Sequence, residues 1–166
     1  MKDFSQHDED KDLEISELLQ RYENLRRGKG GSYIEEEAFE KIIEHFESQE
    51  QFIKAFQAAE IAAEQFPYSA SLIIKKADLL LNSRKYNEAL ILLEHAAIFD
   101  NSNIDIYILK TEAFLALDRQ EEAVALLKEA LELFEGDEKI ELLFELADVY
   151  DDYEDFDKVF DCLKEI

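Results

Sequence analysis

Along residues 70–103 the apolar positions recur at helical spacing. Leu72, Ile73, Ala77 and Leu80 come first; after a polar break at Asn82, Ser83 and Arg84, the pattern resumes with Tyr86, Ala89, Leu90, Leu93, Ala96 and Ala97. Steps of three and four residues place these side chains on one face of an α-helix, and the break reads as a turn, so the stretch predicts two helices joined by a short connection. Such a pair cannot bury both apolar faces alone and needs neighbours stacked on either side. The rest of the chain reads as copies of this pair, which predicts a helical solenoid with a binding or scaffolding role.

Residues 1–10 hold four acids and little apolar material and are expected to be a disordered tail. Residues 11–31 form an amphipathic leader, in which Leu13, Ile15, Leu18, Leu19, Tyr22 and Leu25 make a helical stripe that ends at a hinge of Gly28, Gly30 and Gly31. The solenoid is expected over residues 32–166. Ser32 and Glu35 have the spacing of a capping box, which predicts a helix start there and an end near Glu47. A second helix is expected from Gln51 to Gln65, with Pro67 just past its end. A third pair is expected at Ile104 to Ala116 and Gln120 to Phe134, its second helix opened by Asp118 and Glu121 at capping-box spacing. A fourth begins near Glu138, turns at the acidic run 151–155 and is still helical in pattern at Ile166, so its last helix looks cut short.

A shift of 34 residues superposes these pairs. Ala55 falls on Ala89 and Ala123, Ala62 on Ala96 and Ala130, Phe46 on Leu80 and Phe114, and Phe52 on Tyr86; a two-residue insertion near Gly136 and Asp137 brings Ala147 onto Ala77 and Phe156 onto Tyr86. With this period, and small residues where two helices cross, residues 36–166 resemble the tetratricopeptide repeat (TPR) family. Counting each copy from Glu36, Ala70, Ile104 and Ile140, the family's large residue at position 4 is matched by Phe39, Ile73, Tyr107 and Leu143. Its small residue at position 8 is matched by Ala77 and Ala147, loosely by Thr111, and broken by Ile43. Other departures are Lys76 and Lys110 at position 7 and the lack of the common glycine at position 15 in every copy. The resemblance implies an all-α fold: a right-handed superhelical solenoid of antiparallel helix pairs.

It also implies where a partner binds. The family lines a concave groove with the first helix of each pair. Position 9 there is an acid in all four copies, Glu44, Asp78, Glu112 and Asp148; position 5 is Glu40, Ile74, Ile108 and Phe144; position 12 includes Leu81 and Leu115. The expected groove therefore sets an acidic row beside an apolar one, built from Glu40, Glu44, Ile74, Asp78, Leu81, Ile108, Glu112, Leu115, Phe144 and Asp148. Apolar residues aligned on a groove mark a contact surface, although the same residues can instead pack on the second helices as core. The Lys, Asn and Arg clamp with which some family members hold acidic chaperone tails is absent, its positions being Glu40, Glu44, Lys75, Asp105 and Leu109. The expected ligand is a basic, partly apolar peptide or protein segment. One candidate is internal: the leader carries Arg21, Arg26, Arg27 and Lys29, and either enters this groove or simply covers the apolar edge of the first pair.

Charge narrows the partner class. With 41 acids against 18 bases, the net charge of −23 disfavours nucleic acid and anionic membrane surfaces. Cys162 is the sole cysteine, the start has no apolar core of a signal peptide, and no apolar run is long enough for a membrane span, which together point to the cytoplasm. No catalytic constellation, phosphate loop or zinc spacing is present: His7, His45 and His95 are isolated, and the acidic run 151–157 lacks the glycine and terminal glutamate of a calcium loop. The chain is thus expected to be a non-enzymatic interaction scaffold without cofactor or metal. The alternative is a spacer or assembly segment of a longer solenoid or homo-oligomer, self-associating through its C-terminal repeat edge.

Overall fold

The structure, a computed structural model, describes residues 3–28 and 33–166, with side chains from residue 13 onward. Among these residues it holds nine helices and no strand: α1 (Asp3–Arg26), α2 (Glu36–Ser48), α3 (Phe52–Gln65), α4 (Ala70–Asn82), α5 (Tyr86–Phe99), α6 (Ile104–Ala116), α7 (Gln120–Leu131), α8 (Gly136–Asp152) and α9 (Phe156–Glu165). They form two compact units, residues 1–67 with α1 to α3 and residues 68–166 with α4 to α9.

Four turns close the helix pairs in the same way. At the end of α2, α4, α6 and α8 a residue takes the left-handed conformation: Glu50 (φ 56°), Arg84 (59°), Asp118 (61°) and Glu154 (58°). These are position 15 of each copy, where the resemblance leads us to expect glycine. The next amide then reaches back over five residues to the helix: Gln51 N–H donates to Phe46 O, Lys85 to Leu80 O, Arg119 to Phe114 O and Asp155 to Tyr150 O, all within 2.8–2.9 Å. This is the Schellman arrangement, which satisfies carbonyls that the helix end leaves open. For a side chain with a Cβ the left-handed conformation costs about 1–2 kcal/mol.

The same geometry overrides one sequence expectation. Asp118 closes α6 in the left-handed region and so cannot stand extended as the cap of α7; the N-cap is Arg119, with no side-chain cap bond, and its guanidinium holds Glu122 across the first turn instead. Of the first expected capping box only Glu35 is described, and it is not helical. Helix α2 starts at Glu36 with Glu35 extended, because the Glu35 carboxylate accepts from Arg21 at 2.8 Å and Ile34 is driven fully into the core. Ser32 lies outside the described residues, as do Lys29, Gly30 and Gly31 of the expected hinge and the side chain of His7. Gly28 is described and has φ 63°, directly after the end of α1. The segment expected to be a disordered tail is helical from Asp3, since no Gly or Pro between Met1 and Arg27 stops the helix of the leader from extending towards the N-terminus.

In the first unit α1 lies on α2. Leu18 and Tyr22 are buried, and the Tyr22 ring meets Phe39 and Phe46 edge-on at 6.5 and 6.0 Å. Ion pairs Arg21 to Glu35 and Lys41 to Glu14 flank this contact. The leader therefore covers an apolar edge of the first pair, as a terminal cap does. Ala55, Ala59 and Ala62 of α3 are fully buried.

The second unit stacks three pairs. Here α4 touches both α5 and α6, and α6 touches α7 and α8, so first helices contact each other as well as their own partners. Ala77, Ala89, Ala96, Ala113, Ala123 and Ala130 are fully buried. Around the last pair, Leu127, Phe134, Leu142, Leu146, Val149, Tyr150 and Cys162 close one core cluster, with Phe134 edge-on to Tyr107 at 5.4 Å.

Two outcomes follow. Ala89→Leu and Ala123→Leu are each expected to lower unfolding free energy by about 1–3 kcal/mol through overpacking, measured by urea denaturation. Arg84→Gly, which removes left-handed strain at an exposed turn but adds backbone freedom to the unfolded chain, is expected to raise it by about 0.5–1 kcal/mol.

Candidate partner-binding face

The first helices of the second unit, α4, α6 and α8, bring most of the expected groove residues together. Asp78 stands on α4, Glu112 on α6 and Asp148 on α8; all three are at least partly exposed. Glu40 and Glu44 stand on α2 of the first unit, half-buried and exposed respectively.

The apolar row divides. Ile74 and Leu81 are only 6% and 3% exposed. They are core, and the expectation that a partner touches them is corrected: burial runs round most of α4, over Leu72, Ile73, Ile74, Ala77, Leu79, Leu80 and Leu81, and so takes in positions 5 and 12. Ile108 and Leu115 on α6 are half-buried, and Phe144 on α8 is 49% exposed. Apolar surface on this face is thus concentrated towards α8.

Electrostatics ties the acids into one row. Burial pushes the Asp78 carboxyl above its ordinary value, Lys75 opposes the rise, and Asp105 adds to it. The Asn82 amide donates to Asp78 Oδ1 at 3.3 Å. Glu112 is raised by burial and then by the charge of Asp78. Glu145 is raised by burial, then by Asp148, Glu141 and Glu112. Each helix therefore feels the carboxylate on the next. Glu145 is not among the expected residues, because its position in the repeat is Lys41, Lys75 and Leu109 in the other copies; the signal for it is the acid density of α8 itself.

Burial, followed by Glu165 and Asp161, pushes the Cys162 thiol up, which keeps it protonated at neutral pH. The rings of His45 and His95 pack against Phe46 and Phe99 at 5.9 and 4.9 Å. Among the described residues no cluster of three His, Cys, Asp or Glu is placed to hold a metal ion, and no helix is long and apolar enough to cross a membrane.

The raised carboxyls set a sign for stability. A carboxyl with a higher pKa in the folded state favours folding while protonated, and that contribution is lost as pH rises through the folded value. At neutral pH the ionised row therefore opposes the fold. Glu145→Gln is expected to raise the melting temperature at pH 7, with the gain shrinking to nothing as pH falls below the carboxylate range; thermal melts from acid to neutral pH measure it.

No protein-family model and no curated protein matches the chain. Solved structures do. MamA residues 41 to the end from Desulfovibrio magneticus RS-1 superposes with a TM-score of 0.68 at 15% identity, over 91% of this chain and 92% of that one. A thermophilic TPR protein of Thermus thermophilus gives 0.68 at 15% identity, over 89% and 78%. YrrB, described as a TPR protein with an unusual peptide-binding site, gives 0.61 at 17% identity, over 86% and 70%. With the helix pairs and their repeated turns, these likenesses show that the chain has an all-α, TPR-like solenoid fold.

Proposed function

We propose that the chain is a non-catalytic protein-interaction scaffold, and that the face made by α4, α6 and α8 binds a basic, partly apolar segment of another protein. The observation that carries this reading is the electrostatic coupling of Asp78, Glu112 and Glu145 across three successive first helices, beside the exposed ring of Phe144. Like charges held together at a partly desolvated face repel one another, and a lysine or arginine brought between them relieves that repulsion. Lys75 already answers Asp78 in part, so the unanswered charge lies towards α6 and α8, which is also where Phe144 stands. An apolar residue of the ligand on Phe144, flanked by basic residues on Glu112 and Glu145, uses both features. A sole cysteine fits work in a reducing compartment such as the cytoplasm.

Titration calorimetry with a Lys- and Leu-bearing peptide, against a peptide in which Glu replaces Lys, tests the reading. The basic peptide is expected to bind, more weakly as salt rises, since exposed charges are screened beyond about 8 Å at physiological ionic strength. Affinity falls as pH drops through the raised carboxylate range. Phe144→Ala combined with Glu145→Gln is expected to weaken binding roughly tenfold. Equal affinity for the acidic peptide, or no effect of the double substitution, would contradict the proposal.

A further inference from the structure

Helix α9 carries an apolar stripe that is open to solvent. Phe156, Phe160 and Leu163, at i, i+4 and i+7, are 63%, 60% and 48% exposed, while Cys162 on the other side of the helix is buried in the core of the last pair. We propose that this stripe is a self-association surface on which α9 of a second copy packs antiparallel, about a twofold axis passing beside Phe160. The proposal stands independently of the acidic face, because α9 takes no part in that row.

Charge selects a second copy over other occupants. The chain as a whole carries −23, so most of its surface repels its own kind; Phe156–Glu165 holds Asp157, Asp161 and Glu165 against Lys158 and Lys164, a balance to within one charge. The arrangement of those charges is also self-complementary. At about 100° per residue Asp157 and Lys164 stand on the same flank of the stripe, about 10 Å apart along the helix. A twofold axis perpendicular to α9 keeps that flank facing its equivalent with direction reversed, so Asp157 of each copy meets Lys164 of the other. Lys164 already lies at the rim, with its ammonium 4.1 Å from the centre of the Phe160 ring and 3.3 Å from Asp161. The antiparallel pairing also opposes the two helix dipoles favourably.

Area sets the strength. Half-exposed side chains of this size offer on the order of 100 Å² each, about 300 Å² per copy for the three, which matches the largest apolar patch of a typical monomer and is less than half of the roughly 800 Å² that a stable complex buries per partner. The dimer is therefore weak and forms towards the upper end of a micromolar concentration series.

Sedimentation velocity on the full chain from about 5 to 500 μM tests it. The wild type is expected to shift from monomer to dimer across the series. Phe160→Glu, at an exposed position that keeps helical circular dichroism, is expected to stay monomeric throughout. Asp157→Lys is expected to weaken the dimer roughly tenfold, and adding Lys164→Asp to restore it. Ile98→Glu, at an exposed site on α5, leaves the dimer unchanged. A wild type that remains monomeric at the top concentration, a Phe160→Glu chain that still dimerises, or a charge swap without rescue overturns the proposal.

Discussion

Each helix pair depends on how closely two helix axes approach, and alanine sets that distance. Ala55 and Ala62 in α3, Ala89 and Ala96 in α5, and Ala123 and Ala130 in α7 are all fully buried, one 34-residue period apart. With axes about 8–10 Å apart only a small side chain fits at the crossing. Close crossing in turn demands a tight connection, and all four first helices end in the same left-handed residue followed by the same bond back over five residues. None of these four residues is glycine. The packing of each pair therefore carries a backbone strain that the turn alone would not sustain.

The same stacking decides which polar and apolar groups reach the surface. In the second unit Ile74 and Leu81 are buried while Phe144 stays open, and Glu112 lies in the field of Asp78 and Glu145 in that of Glu112. A row of partly desolvated carboxylates opposes folding at neutral pH. The exposed stripe of α9 differs in kind, being apolar and nearly balanced in charge.

The helices and their pairing are legible in the sequence because the apolar period and the alanine positions repeat locally. Helix α4 runs over Ala70–Asn82 and α6 over Ile104–Ala116, where the pattern places them. Three things are not legible. Capping roles expected of two described acids give way to other demands: Glu35 stands extended and holds Arg21, and Asp118 closes α6. The acidic segment after Met1 reads as a tail by composition, yet continues the leader helix from Asp3. Finally, which groove positions stay exposed depends on the neighbouring pair in space, so Ile74 and Leu81 read as surface and Glu145 escapes notice. Period finds the faces of a helix; it does not say how much of a face the next helix covers.

The central claim is that α4, α6 and α8 hold a coupled carboxylate row that a basic segment neutralises. Carbon-detected NMR titration of the Asp78, Glu112 and Glu145 carboxyls, free and with a lysine-rich peptide, tests it most directly. The account predicts midpoints above those of ordinary carboxyls in the free protein and a downward shift of all three on peptide binding. Ordinary midpoints that the peptide leaves unmoved would contradict it.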